Sequence, residues 1–163
     1  MTYAKAADLT ARFGERELTQ LTDRDDTGQT NVGLVNRALQ DATAFIDSYI
    51  GRVYALPLRG CAKPVVVPGA APEYVPPPVL TRLACDLARY YLYTDLADDH
   101  EAARRYKNAV RDLADIASGK TQLTCPWGGP PGDALHAEGL QSQEVQSSFA
   151  PRQITDDSLR GYA

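Results

Sequence analysis

Apolar residues recur at steps of three and four from Asn31 to Tyr54: Val32, Val35, Ala38 and Leu39, Ala42, Phe45 and Ile46, Tyr49 and Ile50, Val53. That period lays one apolar stripe along one side of an α-helix. A helix of about 22 residues is roughly 33 Å long, about twice the average, and it cannot bury such a stripe alone. A weaker stripe at 4–13 carries Leu9 and Phe13, with Asp8 near its start and Gly14 placed as a C′ glycine. Glu15 to Leu21 reads as one or two further turns, with Leu18 and Leu21 inward. Thr22 to Thr30 is a polar, acidic loop, and Thr30 or Asn31 is the expected N-cap of the long helix. A second strong stripe, Leu80, Leu83 and Ala84, Leu87 and Tyr91, follows Pro76-Pro77-Pro78 and runs to about Leu96. Asp98 and Glu101 have the spacing of a capping box. They introduce a last helix with Tyr106, Ala109 and Val110, Leu113, Ile116 and Ala117 inward, ending at Gly119.

Prolines punctuate this pattern. None occurs in 1–56, seven fall in 57–78, none in 79–125 and four in 126–151. Because proline breaks helix interiors, the empty stretches are where helices can form. The predicted fold is therefore all-α: a small bundle of four to five helices around one long central helix, occupying 1–120. A Pro-rich loop, 59–75, projects from it. In that loop Val65-Val66-Val67 and Tyr74-Val75 flank Pro68 to Pro72, which fits a hairpin-like excursion, while so many prolines disfavour a regular sheet. After Lys120 the chain is rich in Gly, Pro, Gln and Ser and loses its helical period. Residues 121–163 are predicted to be an extended C-terminal arm that orders on a partner, with Trp127, Phe149, Ile154, Leu159 and Tyr162 as apolar anchors.

Composition excludes more than it assigns. The chain has 163 residues, 44% hydrophobic and 23% charged, enough for one domain with a core. No apolar run approaches the roughly 20 residues of a membrane span, and the N-terminal residues carry no signal-peptide core. A net charge of −4 argues against a protein that grips nucleic acid by its phosphates. Cys61, Cys85 and Cys125 are odd in number and lack C-x-x-C spacing, so they are expected to be unpaired thiols in a reducing compartment.

The chemistry-bearing clusters are incomplete. Asp23, Asp25, Thr27 and Gly28 mimic the first half of a calcium loop, but Leu34 stands where its bidentate Glu belongs. An acidic loop before a helix N-terminus, favoured by the helix dipole, is the preferred reading. His100 lies among Asp98, Asp99 and Glu101, yet sequence neighbours do not share a helix face, and a solvated capping region is favoured. No histidine stands near a cysteine to activate it. Arg82, Asp86, Arg89 and Tyr90 have salt-bridge spacing, and the basic run Arg104, Arg105, Lys107, Arg111 is interleaved with Asp112 and Asp115. No catalytic residue, cofactor site or metal site is assigned. The residues alone favour an interaction or assembly protein. The alternative is a small helical cytoplasmic enzyme or regulator with no recognisable site.

Several blocks resemble a known family. Tyr3-Ala4, Asp8-Leu9 through Gly14 and Glu17 to Arg24 are similar to the opening of a family from Mu-like phages and prophages, formerly a domain of unknown function. The likeness continues through Ala38-Leu39, Asp41-Ala42, Ile46 to Ile50, Arg52, Tyr54 and Leu56-Pro57-Leu58. It resumes at Ala84 to Tyr90, Arg105-Tyr106 and Ile116 to Lys120, and Gln146 to Tyr162 looks like the family's C-terminal end. Two departures stand out: Lys5 replaces the usual Thr cap, and about Gly60 to Tyr74 looks like an insertion.

The resemblance implies a head–tail connector, an adaptor or head-completion protein of the phage neck. Such a protein forms a ring, usually of twelve copies, under the portal, extends the DNA channel and offers a platform to the next neck or tail-completion component. The implied partners are the portal protein, neighbouring copies, that next component and passing DNA held without specificity, with no membrane and no cofactor. The implied location is the virion neck, after assembly in the host cytoplasm. On this footing the polar side of the long helix, Asn36, Arg37, Gln40 and Asp47, is the candidate intersubunit face.

Overall fold

The computed structural model describes residues 2–65 and 69–135. Among them are five helices: α1 (Ala6–Phe13), α2 (Glu15–Thr22), α3 (Val32–Ile50), α4 (Pro78–Leu92) and α5 (Glu101–Ala117). Two short strands, β1 (Cys61–Ala62) and β2 (Tyr74–Val75), pair antiparallel. The protein is thus mostly helical, with a minimal sheet that its prolines had disfavoured. The ladder fits because it is only two residues long and both strands lie between the prolines, at Cys61↔Val75 and Ala62↔Tyr74.

Helix α3 is the hub. Val35, Ala38, Leu39, Ala42, Ile46 and Ile50 are buried along it, and it packs on α4, α5 and α1. Its stripe meets Leu80, Leu83, Ala84, Leu87 and Ala88 of α4 and Ala109, Leu113 and Ile116 of α5. The core is closed from the N-terminal side by Tyr3, Ala4, Leu9 and Leu18.

The helix ends show what the period could not. Asn31 caps α3 as expected, its side-chain oxygen accepting from the Leu34 N–H at 3.2 Å. At α1, Lys5 has no side-chain acceptor to offer, so half a capping box remains: Asp8 accepts from the Lys5 N–H at 2.7 Å. The acidic loop between α2 and α3 is held internally. Asp23 accepts from the Thr27 N–H, the Thr27 hydroxyl and the Gly28 N–H, and these bonds pull its carboxyl below the usual range. His100, rather than Asp98, caps α5, through Nδ1 accepting from the Ala102 N–H at 3.1 Å.

Two helices stop about four residues short of the expected boundary. Helix α3 gives way at Gly51, whose missing Cβ would lie 2.9 Å from both the Asp47 carbonyl and Leu56 Cδ1. The chain then turns so that Tyr54 pairs with Ala134 in an isolated bridge. Helix α4 ends at Leu92, and Tyr93 turns extended, its hydroxyl donating to Glu17 at 3.2 Å.

Residues 121–135, which the composition assigns to the arm, lie along 53–60. The Ala55, Gly60 and Leu135 N–H groups bond the carbonyls of Asp133, Pro131 and Val53 at 2.8–2.9 Å. Leu123 is buried in the core, and its N–H donates to the Tyr54 hydroxyl at 2.9 Å. The cysteine expectation is corrected here. Cys61 and Cys125 form a disulfide with Cα atoms 5.4 Å apart across a sequence separation of 64. Only Cys85 of the three is free, and it is buried. Spacing failed because the pair is made by tertiary apposition of β1 with the 121–135 segment, not by a local motif.

Candidate interaction surface

Five aromatic side chains gather where α3, α4 and α5 meet. Phe45 and Tyr49, one turn apart on α3, have ring centres 5.2 Å apart. Tyr90, at the end of α4, stacks on Tyr106 of α5 at 4.1 Å and 20°. Tyr91 meets Tyr106 edge-on at 6.2 Å, and Phe45 lies 6.4 Å from Tyr106. All five are half-buried. They therefore brace one another while keeping part of each ring at the surface.

An open groove of about 750 Å³ runs over this cluster, lined by Asp41, Ala44, Phe45 and Ser48 of α3 and by Tyr90, Tyr91, Tyr93 and Leu96. A depression of about 390 Å³ continues it to Tyr49 and Arg52. Another, of about 180 Å³, extends it to Arg24, Arg37 and Leu34. The three share residues and form one strip along α3. From Arg37 to Ile50 the helical rise gives roughly 20 Å, and Arg52 lies on the turn just beyond the end of α3. Arginines mark both ends and tyrosines the middle.

Tyr91, Tyr93 and Tyr106 are set to act as neutral donors and apolar plates. Burial, with the nearby Tyr106, Asp41 and other tyrosines, pushes the Tyr91 hydroxyl up to about 12. Burial also raises Tyr106 and Tyr93, helped respectively by Tyr90 and by Glu17. Rings of this kind supply contact area with few torsions to freeze on binding.

Buried charges fix the strip's framework. Arg89 Nε donates to Glu17 Oε1 at 2.7 Å, and its guanidinium sits 4.5 Å over the Phe13 ring. Tyr93 shares Glu17, so α2 and the end of α4 are joined at one carboxylate, and the Arg89 guanidinium over Phe13 adds α1. Asp86, buried on α4, faces Arg82 at 3.7 Å and Arg105 at 3.5 Å, while those arginines also reach Asp112 and Glu101. Part of the basic run on α5 is tied into carboxylates, Arg105 to Glu101 and Lys107 to Asp98 at 3.4 Å, while the interleaved Asp112 and Asp115 pair instead with Arg82 and Lys120.

The predicted site residues are separated by the fold. Arg37 lines the strip, whereas Asn36 and Gln40 are exposed on the neighbouring side of α3. Asp47 accepts a hydrogen bond from the Tyr3 hydroxyl and so belongs to an internal tie between the N-terminal segment and α3. Trp127 is 49% exposed on a turn held by Cys125 and Gly129, remote in sequence from the strip's residues. Phe149, Ile154, Leu159 and Tyr162 lie outside the described residues. The periodicity assigned Phe45, Tyr49, Tyr91 and Tyr106 wholly to the core. A signal was present in composition: nine tyrosines against three phenylalanines, an excess of rings with a polar edge.

Among the described residues no helix is long and apolar enough to cross a membrane, and no three His, Cys, Asp or Glu side chains group as a metal site. The sequence model for the family described as Bacteriophage Mu, Gp36 matches residues 3–139. The chain belongs to this family. The Gp36 match takes in all five helices and the strip, and ends before Gln146–Tyr162. Two curated relatives agree. The Mu-like prophage FluMu protein gp36 of Haemophilus influenzae is 32% identical over 121 residues, covering 74% of each chain. Gene product J of Escherichia phage Mu is 32% identical over 122 residues, covering 74% of this chain and 75% of its own. This is a phage protein of the Gp36 type, and its aromatic strip lies within the residues that the family model matches.

Proposed function

We propose that this Gp36-family chain is a structural component of the phage neck, a head–tail connector with no catalytic activity. It assembles as a ring, of about twelve copies, beneath the portal, extends the DNA channel and presents a platform to the next neck or tail-completion protein. The carrying observation is the half-exposed aromatic strip on three packed helices, flanked by Arg37 and Arg52. A rigid plate of tyrosines with arginine ends has the make-up of a protein–protein hot spot. A catalytic cleft would instead gather a base, a nucleophile or a metal around one point.

Other features support the ring. Head-to-tail contacts between identical copies close when the rotation permits, and weak contacts repeated around a ring add up to high avidity. A net charge of −4 suits a channel past which DNA slides without being held. Trp127 and the segment 136–163, with Phe149, Ile154, Leu159 and Tyr162, supply further anchors on the portal or a neighbouring copy, and the 59–75 loop offers a further contact.

Electron cryomicroscopy of the virion neck tests this directly. The expected result is a ring of this chain against the portal, with Phe45, Tyr90 and Tyr106 buried at a protein contact. Virions whose neck holds no copy of the chain would refute the connector role. A ring in which the tyrosine strip faces solvent would refute the role given to the strip.

A further inference from the structure

The Cys61–Cys125 pair stands in a protein whose family places its synthesis inside a bacterium, where thiols are kept reduced. We infer that Cys125 and Cys61 form an oxidation site: open while the protein is made, and closed by a small disulfide such as glutathione disulfide once the protein leaves the reducing cytosol. The inference rests on the family and the local geometry, and is independent of the connector proposal.

The geometry holds the two cysteines together whether or not they are bonded. Three backbone hydrogen bonds, from Ala55 to Asp133, Gly60 to Pro131 and Leu135 to Val53, fasten the 121–135 segment alongside 53–60. The Leu123 N–H bonded to the Tyr54 hydroxyl adds a fourth tie, next to a buried leucine. None of these involves sulfur. The Cβ atoms are thus presented to each other by the fold, with Cα atoms 5.4 Å apart, within the normal disulfide range.

Exposure sets the order of events. Cys61 is fully buried, whereas Cys125 is partly exposed on its turn. The Cys125 thiolate therefore attacks the small disulfide, its S–S bond breaks, and one small thiolate leaves. The Cys61 thiol, losing its proton to solvent, then attacks the Cys125 sulfur of the mixed disulfide and expels the second small thiolate. Two protein thiols become one disulfide, and the oxidant takes up two electrons and two protons to become two small thiols. Closing the bond makes a covalent ring of residues 61–125, which contains β2, α4 and α5. Cys85 takes no part, because it is buried in the core and burial pushes its thiol up to about 11.

The test uses the full chain. Cells producing it are lysed in N-ethylmaleimide, and mass spectrometry is expected to find Cys61 and Cys125 as thiols rather than cross-linked. Protein purified in reductant and moved into glutathione disulfide is expected to gain the Cys61–Cys125 cross-link while Cys85 stays reduced. Its thermal midpoint should rise by roughly 10 °C, the scale expected for closing a loop of this length. The emission of Trp127, the single tryptophan and two residues from Cys125, should change, and dithiothreitol should reverse everything. Cys61→Ser should stop at a glutathione adduct on Cys125, and Cys125→Ser should leave Cys61 unmodified in the native protein. A cross-link already present in the blocked lysate, or a native pair that stays reduced in glutathione disulfide, overturns the inference. So does an oxidised protein with unchanged midpoint and unchanged emission. These readouts need only the unsubstituted protein, so a misfolded variant does not shield the inference.

Discussion

Removing Glu17 should destabilise the protein more than removing Arg89, although the two residues form one ion pair. The Arg89 side chain is 8% exposed and the Glu17 side chain 26%. In Glu17→Ala the guanidinium stays buried over Phe13, deprived of its 2.7 Å partner, and Tyr93 loses its acceptor. Breaking a buried pair from one side costs about 3–5 kcal/mol. The charge of Arg89 is also felt by Glu101, which puts the expected loss at the lower end, about 3 kcal/mol. In Arg89→Met the aliphatic bulk remains, and Glu17 can turn to water while keeping the Tyr93 hydroxyl. The loss is then about that of one charge-assisted hydrogen bond, roughly 1–2 kcal/mol. The double variant should lie near Arg89→Met, because no buried charge is stranded, giving a coupling of about 3 kcal/mol. Urea unfolding followed by circular dichroism, with unchanged m-values, measures all three. An Arg89→Met loss equal to or above that of Glu17→Ala, or additive losses in the double variant, would refute the assignment of a stranded buried charge.

Three further outcomes are expected. Tyr106→Ala removes the 4.1 Å stack with Tyr90 and should cost about 2 kcal/mol in the free protein. In a co-sedimentation assay it should also weaken ring or portal association, and unchanged association would take Tyr106 out of the contact. Thr22→Val removes a buried hydroxyl that accepts from the Asn31 N–H at 3.0 Å and donates to the Leu18 carbonyl at 2.7 Å. Its cost, read by thermal unfolding, should be about 1–3 kcal/mol. The folded state holds Cys85 protonated up to about pH 11, from an ordinary value of 9.0. Between those values the unfolded chain binds fewer protons than the native one, so stability falls with rising pH, by about 1.4 kcal/mol per unit. Cys85→Ala should flatten the thermal-midpoint profile between pH 9 and 11, and an unchanged slope would exclude Cys85 as its source.

The helices were legible because periodic burial writes itself into the sequence. Leu80, Leu83 and Leu87 or Val35, Leu39 and Ile46 face one core at helical spacing, and the structure buries each of them. Helix ends were read where the cap is a local bond, as at Asn31. They were misread where a distant residue decides. Helix α3 stops short because Leu56 folds back against Gly51 and Tyr54 must bridge to Ala134. Asp47 reads as part of the candidate intersubunit face, since nothing local announces its bond to Tyr3, 44 residues away.

By itself, then, the sequence determined a helical protein hung on one long helix, an absence of complete catalytic motifs, and a likeness to a family of Mu-like phages. These follow from spacing and from ordered local motifs, which a linear chain displays. The tertiary structure decided which half-apolar residues stay at the surface. Phe45, Tyr49, Tyr90, Tyr91 and Tyr106 form a strip only because α3, α4 and α5 meet at that point. It also decided that Cys61 meets Cys125, because a two-residue ladder and the return of 121–135 carry them together across a sequence separation of 64. Periodicity states which side of a helix is apolar. Only the packing of one helix on another states how much of that side remains open to a partner.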